Sequence, residues 1–132
     1  MEATQFRYVI KFVTDMNNAV KFYRDVLGFA VVSSDRLGNE CDWALLRQND
    51  AEIMLNTLYE ADERPPHPDP ARVMAHGDTT LFFGCRDLEA AYMQLRLAGL
   101  DVTEPVIRGY GMKQLNLKDP DGYGLCFQWP AP

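Results

Sequence analysis

An internal echo at a fixed distance constrains this chain more than any other feature. FRYVIKFV alternates apolar residues as a strand would and leads to Asp15; TTLFFGC does the same and leads to Asp87, 72 positions on (87 − 15). Each aspartate stands where a helix N-cap belongs, and each precedes an apolar stripe at helical spacing. The first stripe is Met16, Ala19, Val20, Tyr23, Val26 and Leu27, stopped by Gly28; the second is Leu88, Ala91, Tyr92, Leu95 and Ala98, stopped by Gly99. The shift of 72 carries Ala19 onto Ala91, whereas the two glycines miss it by one residue. Three strand-like pieces follow each helix: FAVVSSD, CDWALLRQ and AEIMLNTL, then LDVTEPV, MKQLNLK and GLCFQW. Each half reads β-α-β-β-β, which predicts an α+β fold of mostly antiparallel strands.

The expected organisation is a first βαβββ module over 1–60, a linker loop over 61–78 and a second module over 79–132, together one structural domain. The linker expectation rests on EADERPPHPDPARVMAHGD, which is polar and rich in proline. Each half is too small to bury much alone, so the modules should pack together or pair across a dimer, and the sequence leaves both open. Each curved mixed sheet would lay its helix on one face and leave the other as a concave wall, with a cleft where two walls meet.

The formal charge of −6 argues against binding nucleic acid, whose phosphates call for clustered Lys and Arg. No run is long and apolar enough to span a bilayer, and MEATQFRYVIKFV lacks the uninterrupted apolar core of a secretory signal. Cys41, Cys85 and Cys126 are odd in number and far apart, which suggests neither a disulfide framework nor a CxxC zinc site. The expectation is a cytoplasmic protein with reduced thiols.

Two stretches are more specific. VTDMNNAVKFYRDVLGFAVV resembles the opening helix signature of the vicinal oxygen chelate superfamily, which includes glyoxalases, extradiol dioxygenases and bleomycin-resistance proteins. KDPDGYGLCFQ resembles its closing signature, in which a DPDG turn feeds the last strand. DWALLRQNDAEIML is most similar to the bleomycin-resistance proteins. The resemblance runs from about Phe6 to Trp129 and implies paired βαβββ modules, a small-molecule ligand and a homodimer. Metal-bearing members of that group hold a divalent ion with four inward side chains, usually His, Gln or Glu. Those places fall here on Tyr8, Met54, Thr80 and Cys126. The repeat agrees, since 80 − 8 and 126 − 54 both equal 72. A phenol, a thioether, a hydroxyl and one thiol match no common ligand set, so no metal and no cofactor are expected. Cys126 then reads as a small buried hydrophobe.

The remaining candidates follow from strand phase. Tyr8, Ile10 and Phe12 alternate onto one face, as do Glu52, Met54 and Asn56, with Glu52 read as a solvated strand end. Gln128 is in phase with Cys126; a slip of two residues would bring these polar side chains into the metal places. Trp43, Tyr59, Phe83, Tyr110 and Met112 are further candidates for the cavity wall. The expected ligand-binding set is Tyr8, Phe12, Trp43, Met54, Asn56, Tyr110, Met112 and Cys126, with no catalytic residue. His67 reads as a solvated loop residue, and His76 as one able to swing toward the pocket mouth. The RGYGMKQ loop lacks the spacing of a phosphate loop. The reading favoured is a metal-free protein that sequesters an antibiotic or aromatic metabolite. The alternatives are a metal-dependent lyase, isomerase or dioxygenase with unusual ligands, and a dimeric module with no small ligand. Whether any reaction is catalysed stays open.

Overall fold

The computed structural model describes residues 1–36, 41–60 and 62–132; Ala61, at the start of the expected linker, lies outside them. The chain divides into two compact units, Met1–Pro68 and Asp69–Pro132.

In the first unit β1 (Tyr8–Val13) leads to α1 (Met16–Lys21), followed by β2 (Ala30–Ser34), β3 (Trp43–Gln48) and β4 (Ala51–Thr57). The sheet order is β1-β4-β3-β2, with β1 parallel to β4 and the other pairs antiparallel. The Asp15 carboxylate accepts the Asn18 backbone N–H at 3.1 Å, capping α1, and Gly28 takes φ +86° to end the helical segment. Between them the helix widens into a π-turn over Phe22–Val26, where Leu27 N–H donates to the Phe22 carbonyl five residues back, at 3.1 Å. A π-turn is a helix with one residue inserted. The insertion explains why Gly28 and Gly99 miss the 72-residue shift by one.

Strand alternation then sorts the side chains. Lys11, Val13, Ala44, Leu46, Ile53 and Leu55 are buried on one face, against Met16, Ala19, Val20 and Tyr23 of the helical segment. Each large apolar side chain so covered contributes about 1.5–3 kcal/mol. Lys11 is the exception in chemistry: its ammonium donates to the Tyr23 hydroxyl and lies 4.2 Å from the centre of that ring. Tyr23 also meets Phe29 edge-on at 6.0 Å.

The second unit opens with a helix inside the proline-rich stretch. Asp69 caps α2 (Pro70–Ala75) by accepting Ala71 N–H at 3.0 Å, and Pro70 fills the first turn, where a missing N–H costs nothing. A short 3-10 turn over His76–Asp78 leads to β5 (Thr80–Gly84), α3 (Leu88–Leu97), β6 (Val106–Ile107), β7 (Met112–Lys118) and β8 (Gly124–Pro130). The order β5-β8-β7-β6 repeats that of the first sheet, again with the first and last strands parallel. Asp87 caps α3 through Ala90 N–H at 3.0 Å. Glu89 of α3 pairs with Lys113 of β7, and Leu88, Leu95, Leu115 and Leu125 are buried. The strand expected from LDVTEPV shrinks to two residues beyond Pro105, which has no N–H to give a ladder.

The repeat holds at the level of register. Tyr8 faces Glu52 as Thr80 faces Gly124, Ile10 faces Met54 as Phe82 faces Cys126, and Phe12 faces Asn56 as Gly84 faces Gln128.

The DPDG turn has a structural task. The Asp119 carboxylate accepts the N–H groups of Asp121 and Tyr123, each at 3.0 Å, and Gly122 N–H donates to the Asp119 carbonyl at 3.0 Å. Gly122 has φ +89°, and a Cβ there would stand 2.3 Å from the Val73 carbonyl oxygen of α2. Only glycine satisfies both demands. Gly122→Ala is expected to lower unfolding stability by about 2 kcal/mol or more, measured by urea denaturation. An unchanged midpoint would mean that α2 does not rest on this turn.

Candidate ligand-binding faces

Each sheet spends one face on its helix, and the candidate functional side chains lie on the other. In the first unit the open face is a grid of three rungs: Tyr8–Glu52–Arg47, Ile10–Met54–Leu45 and Phe12–Asn56–Trp43. Five of the eight expected ligand-binding residues thus share one surface. Tyr8, Ile10 and Phe12 keep about two-fifths of their area exposed. Glu52 is not a solvated strand end. Its side chain is 14% exposed and pairs with Arg47 at 3.2 Å. The Asn56 amide donates to the Thr57 carbonyl at 2.9 Å, which leaves its oxygen as the acceptor on offer.

The open face of the second unit carries Thr80–Gly124–Lys118, then Phe82–Cys126–Asn116, then Gly84–Gln128–Gln114, and Pro130–Met112. Cys126 forms the floor at 1% exposure, and Phe82 stands beside it at 60%. Phe83, expected in the cavity wall, lies on the opposite face and stacks on Phe127 at 5.1 Å. Period two from Thr80 puts Phe82 on the open face and Phe83 behind it. Tyr110 is exposed in the turn before β7, and Met112 begins that strand half-buried. At the other end of this face a depression of about 300 Å³ is lined by Gly77, Thr80, Asn116, Leu117, Lys118, Gly124 and Leu125. Gly124 makes room for Thr80, whose hydroxyl would stand 2.5 Å from a Cβ at that place.

Sequence reasoning missed one arrangement. Arg108 Nε donates to Gln114 Oε1 at 3.4 Å, and Gln114 Nε2 donates to Gln128 Oε1 at 2.9 Å. The turn that brings Arg108 here is closed by Arg108 N–H to the Met112 carbonyl at 2.8 Å and Gly111 N–H to the Arg108 carbonyl at 3.0 Å. The signal available was period two: Val106 faces Gln114 across the ladder, and Arg108 follows it by two residues.

The four places that the resemblance marks for metal donors are Tyr8 and Met54 in the first unit, and Thr80 and Cys126 in the second. Thioether and hydroxyl are poor donors for Zn, Ni, Fe or Mn, and burial pushes the Cys126 thiol up, against a smaller opposite pull from Arg108. Glu52, the carboxylate two residues from Met54 along β4, pairs with Arg47. Among the described residues no three His, Cys, Asp or Glu side chains gather where they could hold an ion. The donor set does not fit such a metal. His76 does not swing freely: its Nδ1 is 2.7 Å from the Asp121 carbonyl oxygen, and its ring stacks on Tyr123 at 4.0 Å. His67 is exposed.

A family model described as the Glyoxalase/Bleomycin resistance protein/Dioxygenase superfamily matches residues 5–127. No curated protein sequence matches the chain significantly. Among solved structures, SMU.1112c is 27% identical, with 97% of this chain and 100% of that one covered, at a TM-score of 0.75. TnmS3, described as an antibiotic binding protein from Streptomyces sp. CB03234, is 22% identical with 99% of each chain covered, at a TM-score of 0.73. TioX from Micromonospora sp. ML1 is 18% identical, with 95% of this chain and 98% of that one covered, also at 0.73.

Burial raises the Cys126 thiol, so the folded state keeps it protonated at a pH where the unfolded chain would ionise it. The stabilisation this gives is complete below the unfolded thiol's pKa, about 8.5, and is lost as pH rises above it. The stability difference between wild type and Cys126→Ala is therefore expected to shrink between pH 8 and pH 10 in urea titrations. A constant difference would contradict the buried, neutral thiol.

Proposed function

Because the chain belongs to the glyoxalase/bleomycin resistance protein/dioxygenase superfamily, we propose that it is a metal-free binding protein for a small, partly aromatic molecule, such as an antibiotic or an aromatic metabolite. The observation that carries this reading is the chemistry of the open faces. The places that the resemblance assigns to ion donors would be Tyr8, Met54, Thr80 and Cys126, and Ile10, Phe12 and Phe82 are left substantially exposed beside them. Exposed apolar side chains grouped on a sheet face favour a planar apolar guest, and the nearby amides supply polar anchors. Sequestration needs shape, stacking and a few hydrogen bonds, with no acid, base or ion. TnmS3, an antibiotic binding protein of the same fold, supports this class of ligand.

A homodimer and a cytoplasmic setting belong to the same proposal. Three free cysteines accord with a reducing compartment. No helix among the described residues is long and apolar enough to cross a membrane.

Titration with aromatic and glycopeptide antibiotics, followed through tryptophan fluorescence (Trp43 and Trp129), is expected to give saturable binding by at least one of them. Removing the ring in Phe12→Ala or Phe82→Ala should then weaken the Kd about 5- to 30-fold, the loss of roughly 1–2 kcal/mol of aromatic contact. Exhaustive dialysis against a chelator should leave affinity unchanged. A flat response across the panel would count against the reading. So would near-stoichiometric Ni, Zn, Fe or Mn that is lost on changing Tyr8, Met54, Thr80 or Cys126.

A further inference from the structure

The Arg108–Gln114–Gln128 chain has a direction that its chemistry fixes. A guanidinium has only donors, so the Gln114 group meeting Arg108 must be its carbonyl oxygen. That choice turns the Gln114 amide nitrogen toward Gln128, which must answer with its own oxygen. The outward end of the chain is then the Gln128 Nε2 group, and among the described residues it donates to no protein acceptor. Arg108 spends its Nε on Gln114, leaving both terminal nitrogens, and among the described residues no carboxylate pairs with it. Gln114, which joins the two, is 6% exposed and so is held in place by its surroundings. The open face of the second unit therefore offers a set of oriented donors with no acceptor of their own. Gln114 and Gln128 stand one rung from the Cys126 floor, about 7 Å along the strand, with the exposed Phe82 ring beside that floor on β5; Arg108 reaches Gln114 from the opposite edge of the sheet, just past the end of β6.

We propose that this end of the face receives an anionic, acceptor-only group of the ligand, a carboxylate or an acidic phenolate or enolate oxygen, carried on a planar ring that lies against Phe82. The inference rests on the small-molecule reading above and adds the charge of the ligand. The guanidinium fork supplies paired donors to such a group, and Gln128 supplies a third. A neutral amide in the same place would set its own N–H donors against Arg108 and Gln128. Discrimination thus comes from mismatch as well as attraction.

The test uses two probes of equal shape, 2-naphthoate and 2-naphthamide, titrated into the intact protein by calorimetry. Naphthoate is expected to bind about tenfold or more tightly than naphthamide, in line with charge-assisted hydrogen bonds. In Arg108→Ala that preference should vanish, with naphthoate losing affinity and naphthamide gaining some as the mismatch is relieved, and Arg108→Lys should keep part of the preference. Arg108 is exposed on a turn, so its amide NMR spectrum should remain that of the folded protein. The side-chain signals of Arg108 Nε and the Gln114 and Gln128 amides should shift with naphthoate and much less with naphthamide. Equal affinity for the two probes, or a naphthoate preference that survives Arg108→Ala, overturns the inference and leaves the binding reading standing. No binding by either probe at millimolar concentration overturns both.

Discussion

Four strands spaced about 4.8 Å apart make a sheet roughly 15–20 Å wide, and one helix with its side chains is about 10–12 Å across. A βαβββ unit can therefore bury one face of its sheet and no more. In the first unit Lys11, Val13, Leu46, Ile53 and Leu55 go beneath the helical segment, so Tyr8, Ile10, Phe12, Met54 and Asn56 are consigned to the other side by alternation alone. The second unit obeys the same rule with Leu115 and Leu125 inside and Phe82, Asn116 and Gln128 outside. What the chain can do is then decided by the uncovered residues.

The two copies have kept their register and diverged in their cores. Lys11, buried against Tyr23, corresponds by the 72-residue shift to Phe83, stacked on Phe127. A lysine under a helix is tolerable only where its ammonium has somewhere to donate, and the Tyr23 hydroxyl and ring face provide it. Tyr23 stands in the π-turn, so the inserted residue and the buried cation occur together in the first unit. The second unit, with an uninterrupted α3, carries two stacked aromatic rings where the first carries that pair.

Much of this was legible in the sequence because it depends on neighbours along the chain. Asp15 and Asp87 cap the helices they precede, Gly28 and Gly99 take positive φ after them, and the repeat offset reproduces the parallel register. The superfamily was legible in two signatures, and the family match covers the first and all but the last residue of the second. Helix α2 was hidden by the prolines around it, although Asp69 followed by Pro70 is itself a helix start. Phe82 rather than Phe83 was legible on the open face, since period two from Thr80 and the 72-residue shift from Ile10 both mark it. Glu52 was misjudged because its partner Arg47 lies across a hairpin, a distance that only the turn at Asn49 and Asp50 defines. The arginine–glutamine chain was out of reach for the same reason: Arg108, Gln114 and Gln128 come from three segments and meet only once the sheet is paired.

That chain also shows why counting polar residues is a poor guide to what a face will recognise. Gln114 and Gln128 could each present an oxygen or a nitrogen, and by composition the face would be neutral in its preference. One donor-only residue at the start of the series removes that freedom from both amides in turn, because each hydrogen bond consumes the acceptor and leaves the donor. Without Arg108 the same two glutamines could reverse and offer an oxygen to a cationic or amide-bearing guest. The polarity of this surface therefore resides in a residue on an exposed turn rather than in the strands. Sheets that share this architecture can thus change the sign of the guest they accept by altering a loop, with the packed face beneath the helix untouched.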